Sequence, residues 1–358
     1  MEQQIDPQGL PSLKLIVGET KIETRSPAPV DLREVRVTEF LQARSLAANT
    51  EKAYRRELKK FLGWTDRPWA EITPRHLAQY KAHLKQERLS PNSINRALAG
   101  LMSFFDWFRT AYPEQMLQDP TTAVELERVP LPPAQDLSEA QVAALYLAVE
   151  QQGERAKRDR AVLSVLAHGL RVDEVVRLNV GDFDGIRLTI VQAKDDSTGT
   201  VPLARQARDH LLDYLSDRAL QEGELAPKAP LFLSYGRNRR QQRLGYQGIY
   251  YLVKKLGQRA AQIARAILEG QDQGGSGEAW QTWNPAQLRQ ILELEQVHPH
   301  QLRHTFATGL LLRGMESLHA RTLTRHRSEA SFKRYAKRVL ATTAEQAFYR
   351  AINEEPPG

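Results

Sequence analysis

Four short stretches of the chain carry residue types that could work together on a phosphodiester. They are Arg171 in GLRVDE, Lys194 in QAKDDSTG, His300 and Arg303 in HQLRH, and His326 with Tyr335 nine residues beyond it. Arginine offers a planar, permanently charged fork that can grip the non-bridging oxygens of a phosphate. Fixed cations also stabilise the negative charge that gathers there during attack. Histidine can donate a hydrogen bond or shuttle a proton. A lysine on a turn can protonate a leaving oxygen, and a tyrosine can serve as a nucleophile that forms a covalent phosphotyrosyl bond. The free phenol has a pKa of about 10, so nearby cations must activate it. Such a set needs neither a metal nor a nucleotide cofactor. Taken singly, each residue also has a plain structural explanation: an Arg171–Glu174 ion pair, an ordinary turn lysine, a half-buried helix tyrosine.

Two metal readings compete. His298, His300 and His304 cluster like zinc ligands, but Arg303 sits among them with a fixed charge that opposes a dication, and no cysteine or nearby carboxylate assists. Asp182, Asp184, Asp195 and Asp196 would suit a two-metal nuclease. Asp195 and Asp196, however, fall in an expected hairpin turn exposed to solvent. The GGSG of residues 274–277 is not followed by GK[ST], so it reads as a flexible loop and not as a phosphate cradle.

The elements that must position these residues fall into two groups. Residues 1–33 have mixed polarity and four prolines and read as an extended or disordered arm. Helical spacing begins near Val35, with Phe40, Leu41, Tyr54, Leu58, Phe61 and Leu62 as apolar positions. Asn49 or Thr50 is the expected cap of the second helix. Thr73-Pro74 and Ser90-Pro91 each place a cap before a proline at the first helical position. Four or five helices are expected over 34–113, with no strand. Prolines 113, 120, 130, 132 and 133 mark an extended linker over 114–136. A second domain, 137–358, opens on the capping-box pattern Ser138 to Gln141. In it AVLSVLAHGL is a buried helix, IRLTIV and TVPL are strands of a hairpin, and PLFLS at 230–234 is a further strand candidate. The Gly-rich stretch 269–285 reads as a surface insertion. The expected fold is therefore an all-α amino-terminal domain followed by a mixed α/β, mainly helical domain.

Composition agrees with a polyanionic partner. The formal net charge is +7. Residues 231–268 hold Arg237, Arg239, Arg240, Arg243, Lys254, Lys255, Arg259 and Arg265 with no Asp or Glu. Residues 299–340 hold nine Lys and Arg against Glu316 and Glu329. Local excess of this kind is what phosphate neutralisation requires. Arg237, Arg239, Arg240, Arg243, Lys254 and Lys255 are the candidate DNA contacts outside the chemistry. There is no cysteine, which fits a reducing cytoplasm, and neither a secretory signal nor an apolar run of membrane length.

In order and spacing these motifs resemble the tyrosine recombinase (phage integrase) family. The matching segments are GLRVDE, QAKDDSTGTVPL, HQLRHTFATGLLLRG, RHRS and KRYAKRV, and the segments NTEKAYRRELKKFLGW, EITPRHLAQYK and LSPNSINRALAGLMSFFDWF resemble the family's SAM-like core-binding domain. The likeness spans about 35 to 340. Two residues depart from the pattern: Arg325 stands where the family usually has glycine, and Gly309 where many relatives have histidine. The resemblance implies a site-specific recombinase whose two domains clamp duplex DNA at a defined recombination site. Tyr335 would join to the 3′ side and free a 5′ hydroxyl, with Arg171, Arg303, His300 and His326 on the phosphate and Lys194 as general acid. It also implies a homotetramer on DNA, a dimer on each site, with exchange of the C-terminal helix, and leaves room for an accessory DNA-bending protein. The location expected is the cytoplasm, at the nucleoid. Type IB topoisomerases and hairpin telomere resolvases have a closely similar site, and a DNA-binding regulator with a vestigial site is the alternative outside enzymes.

Overall fold

The computed structural model describes residues 31–130, 135–150, 153–191, 199–235, 242–271, 277–326 and 329–354. The chain divides into two compact units with the boundary between 130 and 131.

Among the described residues the first unit holds four α-helices: α1 Leu32–Ala43, α2 Ala48–Trp64, α3 Pro74–Gln86 and α4 Pro91–Ala111. Thr73 and Ser90 cap α3 and α4 by accepting from the backbone N–H of His76 and Ser93, with proline at the next position. The start of α2 differs from expectation. Its cap is Ala47, whose carbonyl accepts from the backbone N–H of Thr50 and Glu51, so Asn49 and Thr50 lie inside the first turn. The faces that meet are aromatic. Phe40, Phe61, Trp69, Tyr80, Phe104 and Phe105 are buried together, with Phe61 edge-on to Tyr80 at 4.9 Å between centroids. Such pairs add about 0.5–1.5 kcal/mol beyond the area they bury. The first part of the expected linker packs against this unit. Glu127 exchanges two hydrogen bonds between its backbone and the Asn95 side chain, and Met116 is buried.

The second unit is helical with one small hairpin. Ser138 and Gln141 cap α5 (Glu139–Glu150) reciprocally. The apolar α6 (Ala156–Ala167) is buried along most of its length, and the short α7 spans Val172–Arg177. Strands β1 (Arg187–Ile190) and β2 (Gly199–Pro202) pair antiparallel from Arg187↔Pro202 to Ile190↔Gly199. Leu188, Ile190 and Val201 turn inward by the two-residue period. Then come α8 (Arg205–Glu222), α9 (Tyr246–Leu268), α10 (Glu278–Gln281), α11 (Pro285–Leu292), a 3-10 turn Glu293–Gln296, α12 (Pro299–Leu312), α13 (Ser317–Leu323) and α14 (Glu329–Ala351).

Two expectations need correction. Among the described residues, 230–234 make single bridges and no ladder, Asn179↔Pro230 and Leu233↔Arg243. Arginine side chains occupy the carbonyls a strand would use: Arg218 donates to those of Pro230 and Leu231, and Arg158 to that of Leu233. The stretch 269–285 is not a surface insertion throughout. Residues 272–276 lie outside the described set, but Trp280 is buried in the main core and stands edge-on to Trp283 at 4.9 Å. Its Gly and polar content hid two aromatic anchors. Among the described residues no helix is long and apolar enough to cross a membrane.

Helix α9 approaches the 293–296 turn so closely that only glycine fits at position 257. An added Cβ would lie 2.2 Å from the Leu294 carbonyl oxygen and 2.3 Å from Val297 Cγ1. Gly257→Ala is therefore expected to destabilise the second unit by roughly 1–3 kcal/mol, the usual cost of overpacking, despite alanine's better helix propensity. Thermal denaturation of the full chain checks this; an unchanged or raised melting temperature contradicts the packing described.

Candidate active site

Helix α12 is the centre of the site. Pro299 starts it, and His300, Arg303 and His304 follow at spacings that put them on one face. Arg303 is almost fully enclosed, and its guanidinium donates to two backbone carbonyls, those of Gly169 and Thr324. Gly169 lies in the turn after α6 with φ +79°, and an added Cβ would fall 2.5 Å from the Phe306 ring. Glycine is thus required both by the backbone and by the close approach of α12. Thr324 lies in the turn between α13 and α14.

Each turn then delivers a candidate residue. Two positions after Gly169, Arg171 caps α7. Its Nη1 pairs with Glu174 Oε1 at 2.8 Å, and its Nη2 donates to the Arg325 carbonyl at 2.9 Å. Two positions after Thr324 stands His326. Thr324 Oγ1 also lies within hydrogen-bond distance of the Ala320 carbonyl and shares a 2.7 Å hydrogen bond with His326 Nδ1, which fixes the orientation of that ring. Tyr335, on α14, is fully buried. Its ring lies 5.4 Å from that of His326 and 5.3 Å from that of His304, which it meets edge-on. The Arg334 guanidinium stands 5.1 Å from the Tyr335 ring centroid. The Tyr335 hydroxyl finds no hydrogen-bond partner among the described residues.

The histidines are held neutral. Burial, then the Arg303 charge, lowers the pKa of His326 to about 2. Burial, then His300, lowers that of His304 to about 3. His300 is lowered to about 4 by desolvation and by Arg303. It keeps an exposed edge where solvent screens part of that push, and it is neutral at pH 7 either way. Arg303 itself is drawn down to about 9, by burial first and Arg171 next, and stays charged. Burial pushes the Tyr335 phenol up, while Arg334, Arg303 and Arg171 pull it down.

The structure therefore brings Arg171, His300, Arg303, His326 and Tyr335 into one cluster. Lys194 lies outside the described residues, as do Arg237, Arg239 and Arg240. The strands flanking Lys194 are anchored beside the cluster: His168 Nε2 accepts from the Ala204 N–H just beyond β2 at 3.0 Å. Arg243 is half-buried, and its guanidinium donates to the Val176 and Leu178 carbonyls and to Asn179 Oδ1, which gives it a structural part beside any DNA contact. Lys254 and Lys255 are exposed on α9. Thr324 and Arg334 were not singled out by chemistry, and His304 only as a zinc-like ligand, although the four-residue step from His300 to His304 signals a shared helix face. Asp182 and Asp184 accept from backbone N–H groups of Asn179, Ile186 and Arg187, which makes them turn caps. Among the described residues no group of three or more His, Asp or Glu is placed to hold a metal ion.

Comparisons with known proteins give the family. Residues 35–111 match the model of the phage integrase N-terminal SAM-like domain, and residues 135–272 match that of the phage integrase family. A tyrosine recombinase XerC from Pseudomonas fluorescens is 30% identical over 277 residues, covering 75% of this chain and 78% of its own. The chain belongs to the tyrosine recombinase family. Another relative, the XerC recombinase of Herpetosiphon aurantiacus, is 28% identical over 301 residues, 82% of this chain and 85% of its own. The tyrosine recombinase fold is also found in the XerH site-specific recombinase bound to palindromic difH substrate in a post-cleavage complex, with a TM-score of 0.59 and 16% identity over 87% of this chain and 82% of that one.

The lowered histidine pKa values set a pH dependence of stability. Unfolded histidines take up protons below about pH 6.5, whereas buried His304 and His326 do not until about pH 3 and 2. The unfolded state then binds more protons, so stability is full above pH 6.5 and falls as pH drops through the window below it. The melting temperature is expected to decline from pH 7.5 to 5.5. His304→Asn, which keeps an acceptor for the Gln135 N–H now bonded to Nδ1, is expected to flatten that decline. An equal slope in the variant contradicts a neutral buried His304.

Proposed function

We propose that this tyrosine recombinase cleaves and rejoins duplex DNA at specific sites through a covalent 3′-phosphotyrosyl intermediate on Tyr335. The observation that carries the reading is the convergence of Arg171, Arg303, His326 and Tyr335 on two turns tied together by one buried guanidinium. A scissile phosphate on this cluster meets fixed positive charge before any bond changes. The Tyr335 oxygen attacks phosphorus as the bond to the 5′ oxygen breaks. The phenol proton passes to a neutral imidazole of the cluster, whose basicity recovers once the phosphate's negative charge offsets the arginines that hold its pKa down. Lys194 supplies the proton to the leaving 5′ oxygen. The phosphotyrosyl bond keeps the energy of the broken linkage, so a 5′ hydroxyl from the partner strand reverses the step without ATP. Lys254 and Lys255, exposed on α9, contribute phosphate contacts outside the reaction centre.

The same reading extends to assembly. Beyond Tyr335, α14 runs on to Ala351, and Ala344, Ala347, Phe348, Ala351 and Ile352 share an exposed apolar face. We assign that face to a neighbouring protomer in a tetramer on DNA. Deletion after Ala341 is expected to spare binding to one half-site and to weaken assembly on a full site, read by gel mobility. Full-strength assembly by the truncated chain rejects the assignment.

The nucleophile is tested with wild type, Tyr335→Phe and Tyr349→Phe on nicked suicide DNA. Wild type and Tyr349→Phe are expected to yield a covalent adduct on a denaturing gel, and Tyr335→Phe none, with its melting temperature and DNA affinity nearly unchanged. An adduct from Tyr335→Phe overturns the assignment.

A further inference from the structure

Arg325 adopts φ +51°, in the left-handed region, where a residue with a Cβ is strained and glycine is at ease. It is also only 8% exposed, although its side chain is charged. A side chain kept under both penalties needs a compensating contact, and Arg325 has several. Its Nη2 meets Glu174 Oε2 at 2.6 Å, its Nη1 donates to the Leu323 carbonyl at 3.0 Å, and its own carbonyl accepts from Arg171 Nη2. Strand β2 closes over it: a Cβ on Gly199 would sit 3.5 Å from Arg325 Cδ.

Glu174 is the pivot. It is nearly fully buried and is shared by two arginines, Arg171 on Oε1 and Arg325 on Oε2. Burial pushes its carboxyl up, and Arg325 is the foremost of the charges that bring it below the usual carboxylate range. Without Arg325, the buried carboxylate would keep its ion pair with Arg171, with Arg303 the other charge acting on it, and offset the charge that Arg171 turns to a phosphate. We propose that Arg325 is a positioning residue for the recombination reaction: it neutralises Glu174 and, through its backbone carbonyl, aims Arg171, so that the Arg171 charge is left for the DNA phosphate. The inference rests on the reading of this cluster as the phosphate site.

The variants are Arg325→Gly, Arg325→Lys and Arg325→Gly with Glu174→Gln. In the last, the uncompensated carboxylate is removed together with the guanidinium. DNA affinity is measured across salt concentrations in a Tyr335→Phe background, with duplexes selected by covalent capture on wild type or, if none are captured, with random-sequence duplex. Arg325→Gly is expected to lower the log–log salt slope by about one, the value of one phosphate contact, and Arg325→Lys by less. The double variant is expected to regain the slope. With Tyr335 restored, adduct formation by Arg325→Gly at saturating DNA is expected to slow by about ten-fold or more, within the range seen when one charge-stabilising donor is lost, and to recover in the double variant. Melting temperatures of all chains show that each is folded.

A wild-type slope in Arg325→Gly overturns the proposal. So does a double variant as impaired as Arg325→Gly, because Arg325 would then contact DNA directly and not act through Glu174. If wild type forms no adduct while the slopes behave as expected, the nucleophile assignment falls and the role of Arg325 stands.

Discussion

The guanidinium of Arg303, enclosed among α12, the turn after α6 and the turn before α14, is the contact on which the rest of the site depends. Burying a cation costs several kcal/mol even after relaxation, and two neutral carbonyls offset only part of that. What the arrangement secures is geometry. The Gly169 and Thr324 carbonyls are fixed relative to α12, so Arg171 and His326, each two residues downstream, are fixed relative to one another. The Nε of Arg303 is buried and has no partner among the described residues. A group with an unused donor in a dry, cationic pocket is set up for an anionic acceptor, and a non-bridging phosphate oxygen has that character.

Electrostatics reinforces the point. Arg171, Arg303, Arg325 and Arg334 surround Tyr335 and its histidines, with Glu174 the one carboxylate shown paired to two of them. Like charges gathered in a low-dielectric region repel, and the depressed pKa values of His300, His304 and His326 record that repulsion together with burial. Such an excess destabilises the unliganded chain. It is of use only when a polyanion arrives, whose attraction to each of these charges offsets their mutual repulsion. Stability given up at a functional site in this way is a common trade.

Local chemistry was the legible part of the sequence. Thr73, Ser90 and the Ser138–Gln141 pair act within a few residues of themselves, and their caps formed as their types require. The motif residues announced themselves by type and order. Long-range contacts were hidden. Residues 230–234 have strand composition, yet Arg218 and Arg158 arrive from distant helices to take their carbonyls. Arg243 reads as one more basic residue in a positive run, but its guanidinium also donates to the Val176 and Leu178 carbonyls. The Trp280–Trp283 pair was masked by the glycines before it. For Arg325 the sequence shows an added charge beside His326; only the backbone angle and the Glu174 contact show why it is there.

One helix joins the reaction centre to the surface left uncovered. On α14, Phe332 and Tyr335 are buried against α12 and α13, while Leu340 and Phe348, further along, are 67% and 57% exposed. The helix is unbroken from Glu329 to Ala351, so its two ends cannot be placed independently. A shift or tilt of the tail moves the Tyr335 ring against His304, which it meets edge-on, and His326, which it meets at a tilt. Tyr335 is also sealed from solvent in the unliganded chain, with a hydroxyl that has no partner among the described residues. Reaching a phosphate therefore requires α14 or its neighbours to move. A surface that grips the tail acts on the same rigid body as Tyr335, which ties the proposed nucleophile to whatever occupies that face.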